Sequence, residues 1–165
     1  MSPKAFLAAT ALALLLPGCG LQPVYSAGTA SAPAQLLGQI SIAPIPDRAG
    51  YLVKSALQEE FGTAAASTAY RLDVVLDDQI SAFGVRGDSS AARERRTLRA
   101  RFKLVDSATN TVVLDDAVTS DAGIDRVSSN FAVVAAENTA LDRMAVDIAR
   151  QITARLARYA KSRAG

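Results

Sequence analysis

The chain has 165 residues and a mass of 17.2 kDa, a size that fits one domain because domains cluster near ~100 to 150 residues. Half of the residues are apolar, but aromatic side chains are few and Trp is absent, so we predict an aliphatic core rich in Ala. The chain has no His and one Cys, which excludes Ser-His and Cys-His catalysis, His-ligated metal sites and an internal disulfide. The formal net charge is only +2, so any electrostatic function must come from a local patch.

The N-terminus has the features of an export signal. Lys4 precedes the apolar stretch Ala5–Leu16, and Pro17 and Gly18 follow it. As a helix this stretch would be about 18 Å long, whereas the hydrocarbon core of a membrane is about 30 Å thick. We therefore predict that residues 1–18 are a cleaved signal peptide and not a transmembrane anchor.

The residues next to the predicted cleavage site resemble the lipobox of bacterial lipoproteins. They read Leu16-Pro17-Gly18-Cys19. In such proteins the signal is removed before the cysteine, whose thiol receives diacylglycerol and whose new amine is acylated, so the resemblance implies that Cys19 is a lipid-attachment site. The alternative is an ordinary signal peptide with an incidental cysteine. Gly20, where inner-membrane lipoproteins often carry Asp, favours sorting to the outer membrane.

A flexible tether is predicted between the lipid and the folded domain. Ser26–Pro33 consists of small and polar residues without periodicity, which is typical of a linker. We assign residues 19–36 to this lipidated tether and residues 37–165 to a single domain.

The domain is predicted to contain two long helices and four strands, from apolar stripes at helical spacing and from alternating apolar residues. In chain order these are strand Gln39–Pro44, helix Arg48–Phe61 capped by Asp47, strand Tyr70–Phe83, loop Gly84–Arg93, strand Thr97–Val105, a turn at Asp106–Asn110, strand Thr111–Thr119, and a helix from residue 131 or 135 to 159. Burial of every apolar face gives an α+β two-layer sandwich. In it, two helices pack on one face of a four-stranded, mainly antiparallel sheet.

Basic residues are concentrated between positions 86 and 103, where Asp88 and Glu94 are the only acidic residues. The cations are Arg86, Arg93, Arg95, Arg96, Arg99, Arg101 and Lys103. Arginine presents a planar fork of donors that suits phosphates and carboxylates, so this pattern predicts an anion-binding edge.

This basic cluster has a second interpretation. Arg99, Arg101 and Lys103 on the predicted strand could instead pair with Asp73 and Asp77 across the sheet, and the two interpretations are equally open for them. For the loop cations we favour binding. Because an exported lipoprotein does not meet nucleic acid, the candidate anions are lipid head groups or phosphorylated glycolipids.

No pattern in the sequence indicates catalysis or a cofactor. The adjacent carboxylates Asp77-Asp78 and Asp115-Asp116 would point to opposite faces of a strand and could not act as a catalytic pair. Ser89-Ser90 and Ser128-Ser129 lack the nucleophile elbow and a His partner, and no phosphate loop or dinucleotide fingerprint is present. We predict a non-enzymatic protein with no cofactor and no metal site.

Three segments resemble the lipopolysaccharide-assembly lipoprotein family (LptE-type), especially its alphaproteobacterial members. They are Cys19-Gly20-Leu21-Gln22-Pro23-Val24-Tyr25, Ile45-Pro46-Asp47-Arg48-Ala49-Gly50 with the helix after it, and the closing segment from Asn130-Phe131 to Leu156. The order and spacing of these segments cover essentially the whole mature chain. Leu21 stands where the family more often has an aromatic residue.

The resemblance implies a fold of two helices on a four-stranded sheet. It also implies a lipoprotein that plugs a large outer-membrane β-barrel and helps it insert lipopolysaccharide into the outer leaflet. The expected partners are that barrel, lipopolysaccharide and the membrane lipid around acylated Cys19. The positions that best match the family's basic ligand contacts, by place and charge, are Arg86, Arg93, Arg95, Arg96, Arg99 and Arg101. A different class also stays open, an outer-membrane adaptor or pilot for another envelope transport machine without glycolipid binding.

Overall fold

The computed structural model describes residues 31–62, 68–83 and 93–164. Its elements are α1 (Ala32–Gly38), β1 (Ile40–Ile42), α2 (Asp47–Phe61), β2 (Tyr70–Phe83), β3 (Arg93–Asp106), β4 (Val112–Asp125) and α3 (Asn130–Ala164). No helix among these residues is long and apolar enough to cross a membrane.

The four strands form one sheet in the order β1-β2-β3-β4. β1 runs parallel to the start of β2, to which α2 connects it, and the other neighbours are antiparallel. β2 and β3 pair along their whole length, from Tyr70 opposite Asp106 to Phe83 opposite Arg93. The predicted fold class, α+β with helices on one face of a mainly antiparallel sheet, is confirmed.

Strand alternation decides which side chains of β3 enter the core. Leu98, Ala100, Phe102 and Leu104 all lie at 0% exposure on the helix side of the sheet. Burying a large apolar side chain contributes roughly 1.5 to 3 kcal/mol, so this one strand supplies a large part of the core's stabilisation.

The last helix covers the sheet from end to end. α3 has 35 residues, which corresponds to about 50 Å at the α-helical rise. Its predicted apolar stripe is buried from Leu141 to Leu156, with Ile148 and Ile152 at 0% exposure, and Tyr159 at the end of the stripe is half-buried. The helix begins at Asn130, one residue before the earlier predicted start, and continues to Ala164, five residues beyond the predicted end. The end was missed because the last turn is polar and carries no apolar periodicity.

A short helix before the sheet was missed by the sequence interpretation. α1 buries Pro33 and Leu37, and Ser31 caps it by accepting a hydrogen bond from the Ala34 N–H at 3.4 Å. The predicted tether is therefore wrong for residues 31–36, which belong to the folded domain, while residues 19–30 lie outside the described part. So short a helix has no stripe of its own and depends on tertiary packing.

The third and fourth strands are longer than predicted. β3 begins at Arg93, so the predicted loop ends before that residue, and β4 continues to Asp125. Pairing with a neighbour extends the backbone hydrogen bonds beyond the point where apolar alternation stops, and the sequence pattern does not record this. β1 is shorter than predicted, with three residues.

The start of α2 differs from the predicted cap. Pro46 occupies the N-cap position without a side-chain hydrogen bond, and Asp47 has a φ of 65°. Asp is one of the few residues that visit this left-handed region at modest cost. Asp47 therefore makes the turn into the helix and does not cap it.

Gly50 lies in the first turn of α2, where its Cα packs closely against the backbone of Ile45. A Cβ at this position would lie 2.5 Å from the carbonyl oxygen of Ile45 and 2.7 Å from its carbon. Because both are backbone atoms, no side-chain rotation could relieve the overlap. The segment Ile45–Gly50 therefore requires glycine at its last position.

We predict that Gly50→Ala lowers the free energy of unfolding by about 1 to 3 kcal/mol, the usual cost of overpacking. The clash outweighs the gain of about 1 kcal/mol that Ala normally brings to a helix interior. Urea denaturation of the mature chain measures the difference. Gly123→Ala is the control, since nothing lies within 4 Å of a Cβ there. A stabilised Gly50→Ala variant would contradict the close approach.

Candidate functional site

The basic residues of β3 lie mostly on one face of the sheet. Since even-numbered residues of this strand enter the core, odd-numbered ones point away from the helices. We call this side, formed by odd-numbered residues of β2, β3 and β4, the open face. Its cations on β3 are Arg93, Arg95, Arg99, Arg101 and Lys103. Strand periodicity thus brings together five of the predicted cationic positions.

Carboxylates on the neighbouring strands flank this row of cations. Asp77 of β2 is opposite Arg99, and Asp125 of β4 is opposite Arg93. The acidic residues on the described part of the open face are Asp73, Asp77, Asp115, Asp121 and Asp125. Because these five nearly balance the basic residues, the open face has alternating charge and only a small net positive charge.

Several cations of the open face are engaged in ion pairs. Arg101 binds Asp115 through two hydrogen bonds of 3.0 and 2.9 Å, and the hydrogen bond from Arg101 lowers the pKa of the Asp115 carboxyl. Arg71 binds Asp73 in the same way at 2.8 and 3.1 Å. Pairing across the sheet therefore occurs, although the partner of Arg101 is Asp115 on β4 rather than a β2 carboxylate.

The remaining strand cations differ in how firmly they are held. Arg93 lies 2.9 Å from Asp125, with both side chains more than three-quarters exposed, so water competes strongly for this pair. Lys103 reaches Asp115 only at 4.0 Å. Arg99 makes no ion pair with any described residue. Arg93 and Arg99 are thus the cations that an added anion could engage at least cost.

Arg96 lies on the opposite side of β3 from the other cations of this strand. It lies on the helix side of β3, 12% exposed, and binds Asp78 of β2 through hydrogen bonds of 2.8 and 2.5 Å. Its third nitrogen donates to the backbone oxygen of Glu137 in α3 at 2.9 Å. The hydrogen bonds that Arg96 donates to the Asp78 carboxylate raise the pKa of Arg96. This side chain connects the sheet to the helix layer and has little donor capacity left for a ligand.

We predict that Arg96→Ala lowers the free energy of unfolding by about 2 kcal/mol, because it leaves Asp78 and the Glu137 carbonyl without their partner. Arg93→Ala is the matched control, and we expect less than about 0.5 kcal/mol for so exposed a pair. Chemical denaturation compares the two variants. Equal stability would contradict the structural role of Arg96.

A second buried charge lies on the helix side of β3. Glu94 is 9% exposed, and its Oε1 lies 3.2 Å from Arg126 after β4. Its Oε2 has no hydrogen-bond partner among the described residues. This pair ties the start of β3 to the connection between β4 and α3.

Exposed apolar side chains gather at the end of the domain where β2 stops and β3 begins. We call this end, formed by Ile80–Phe83, Arg93–Arg96 and Asp125–Val134, the distal end. Phe131 is 86% exposed, and the other exposed apolar side chains here are Ile80, Val127 and Val134. Sequence reasoning missed this cluster, although Phe131 falls outside the buried stripe of α3.

The paired carboxylates take separate roles, as predicted. Asp77 accepts from Gln79 on the open face whereas Asp78 binds Arg96. Likewise Asp115 binds Arg101, and Asp116 lies 3.2 Å from Arg155 of α3. Neither pair forms a two-carboxylate site. The described residues contain no group of side chains that could hold a metal ion.

Some predicted positions lie outside the described residues. These are Cys19, Arg86 with Asp88, and Ser89-Ser90. Ser129 is described, and its hydroxyl accepts from the Ala132 N–H at 3.4 Å at the start of α3. This serine therefore has a capping contact that needs no catalytic explanation.

Comparison with known proteins decides the family. The profile of the LptE family, described as lipopolysaccharide-assembly, matches residues 37–156. The chain belongs to the LptE family. It therefore has a role in lipopolysaccharide assembly, and the resemblance seen in the sequence is confirmed. No curated protein matches the chain at a significant level.

Solved structures of bacterial lipoproteins share the LptE fold seen here. One from Caulobacter crescentus has a TM-score of 0.63 at 22% identity, covering 81% of this chain and 98% of its own. Rare lipoprotein B from Shewanella oneidensis has a TM-score of 0.56 at 12% identity, covering 77% and 99%. Lipoprotein B from Nitrosomonas europaea gives 0.57 at 14% identity, covering 74% and 83%. At these identities the likeness concerns the fold alone.

Proposed function

We propose that the chain is a non-enzymatic outer-membrane lipoprotein subunit of the lipopolysaccharide translocon. In this proposal acylated Cys19 anchors it on the periplasmic side, its domain plugs and supports a β-barrel partner, and it binds lipopolysaccharide during insertion. The observation that carries the proposal is the family match over residues 37–156. The residues on the open face and at the distal end supply the charged and apolar groups that would contact the barrel and lipopolysaccharide.

Lipopolysaccharide binding is supported by the neighbourhood of cations and apolar side chains at the distal end. Arg93 and Arg95 lie at the same end as Phe131 and Val127, two exposed apolar residues. Lipopolysaccharide combines phosphates with acyl chains, and a surface with both kinds of group can contact both parts. Arg86 belongs to the same proposal by position, and Arg99 continues the row along the sheet.

The plug role is supported by the polarity of the open face. The interior of a large outer-membrane barrel is polar, and a face of alternating charge fits such a wall without burying unpaired apolar surface. Four strands at the usual spacing make the sheet roughly 20 Å wide. A large barrel can accommodate an object of that width.

We predict that Arg93→Ala with Arg99→Ala weakens binding of purified lipopolysaccharide at least about tenfold, equal to ~1.4 kcal/mol. Charge-assisted Arg contacts to phosphate contribute ~1.5 to 3 kcal/mol each when partly dry. Arg96 is left intact, because its loss would disturb the fold. Isothermal titration calorimetry on the folded variants measures the affinity.

The matched control for this experiment is Arg71→Ala with Arg101→Ala. Both residues lie on the same face, and their substitution removes the same charge as the test variant. Each of them, however, donates two hydrogen bonds to an aspartate. We expect the control to lose less affinity. Equal losses would indicate attraction by general surface charge, and no loss in either variant would contradict binding by this face.

The lipid anchor has its own test. We predict that the intact mass of the mature chain equals residues 19–165 plus diacylglycerol and one amide-linked acyl chain, because the lipobox directs all three chains to Cys19. Cys19→Ala should remain folded without the added mass, since its position precedes the first packed helix. A wild-type chain that begins at Cys19 without acyl mass would refute the anchor.

The alternative function is an adaptor for another envelope transport machine without glycolipid binding. It shares the lipid anchor but not the barrel. Crosslinking the mature chain in its native outer membrane, followed by mass spectrometry, separates the two. Capture of a large barrel protein supports the translocon, and capture of other envelope components without it supports the adaptor.

A further inference from the structure

The end of the domain opposite the distal end is where the chain from Cys19 enters the fold. Ala32 and Gln35 of α1 and Tyr159 and Arg163 of α3 line a common cavity of about 220 Å³. The first described residue, Ser31, therefore lies beside the last turns of α3. We call this the proximal end. The residues between Cys19 and Ser31 can span at most about 40 Å.

This proximal end carries unbalanced positive charge. After Asp147, the rest of α3 contains no acidic residue, and its cations are Arg150, Arg155, Arg158, Lys161 and Arg163. The first two pair with Glu60 and Asp116 along the side of the helix. Arg158, Lys161 and Arg163 have no carboxylate of a described residue within 4 Å of their charged groups.

Arg163 contacts two aromatic residues near the end of α3. Its Nη1 donates to the hydroxyl oxygens of Tyr159 at 3.1 Å and Tyr70 at 3.3 Å, and its guanidinium lies 5.8 Å from the Tyr159 ring centre. Amphipathic tyrosines beside a cation are typical of the zone between membrane and water.

The acidic groups at this end do not cancel the basic ones. Asp106 begins the β3–β4 turn, where its carboxylate accepts the backbone N–H groups of Ala108 and Thr109 at 2.9 and 3.0 Å. These bonds, together with the charge of Arg163, lower the pKa of Asp106. Glu59 lies near the end of α2. Arg158 and Lys161 remain exposed on the helix surface.

We infer that the proximal end is a contact surface for the anionic lipid head groups of the leaflet that holds the anchor. The helix dipole alone favours cations at this terminus, but it does not account for their place beside the entry of the lipidated segment. Acyl chains combined with a basic patch form a two-part membrane attachment. Contact at this end would direct the distal end away from the leaflet.

This inference rests on the proposed lipid attachment for its place at a membrane, and it does not depend on lipopolysaccharide binding. The test uses the mature chain with Cys19→Ala, so that acyl chains do not mask weaker contacts. We compare flotation with vesicles of pure phosphatidylcholine and with vesicles containing roughly one quarter phosphatidylglycerol. We expect binding to the anionic vesicles only, and loss of that binding at high salt.

The decisive variant is Arg158→Glu with Lys161→Glu, which leaves the Arg163 contacts intact. We expect it to weaken binding to anionic vesicles about tenfold or more. The control is Arg143→Glu with Arg150→Glu, two exposed cations in the middle of the same helix with the same change of charge. Circular dichroism verifies that both variants are folded.

The outcomes separate this inference from the proposed function. Equal binding to both kinds of vesicle, or equal losses in both variants, would overturn the membrane contact. Retained lipopolysaccharide affinity in Arg158→Glu with Lys161→Glu, together with lost vesicle binding, would support it. If the chain binds anionic vesicles as expected but does not bind lipopolysaccharide, the membrane contact stands and the proposed function fails.

Discussion

The structure depends on burial of the apolar face of β3 beneath the long helix α3. Leu98, Ala100, Phe102 and Leu104 of β3 are fully buried, as are Ile148 and Ile152 of α3. With few aromatic residues, the core obtains its area from many aliphatic contacts along a helix that spans the domain. The strand and the helix therefore stabilise each other along their whole shared length.

The same alternation that fills the core also creates the charged face. Because neighbouring residues of a strand point to opposite sides, burying the even-numbered positions of β3 exposes its odd-numbered arginines. β2 and β4 then place carboxylates beside these arginines, as at Asp77 and Asp125. The result is a hydrophilic surface with nearly balanced charge, on which individual cations differ mainly in how tightly a carboxylate holds them.

The two ends of the domain have different chemistry, since α3 and the strands run between them. The distal end combines cations with exposed apolar side chains such as Phe131. The proximal end combines the entry of the N-terminal segment with the basic end of α3 and the tyrosines around Arg163. This difference between the ends is the basis for the two contacts proposed above, with lipopolysaccharide at the distal end and with anionic lipid at the proximal end.

The sequence by itself determined the fold class, the four strands, both long helices and the family, because those features depend on periodicity and on local motifs. Only the tertiary structure determined which partner each charged side chain binds and how exposed it is. Arg96 and Arg93 are both strand arginines separated by three positions, yet one binds Asp78 beneath α3 and the other is exposed to water. Helix α1 likewise exists because α3 is there to pack against. Alternation along β3 sets the side of the sheet on which each arginine lies, but the partner that each one binds is far away in the sequence and is not encoded by a local pattern.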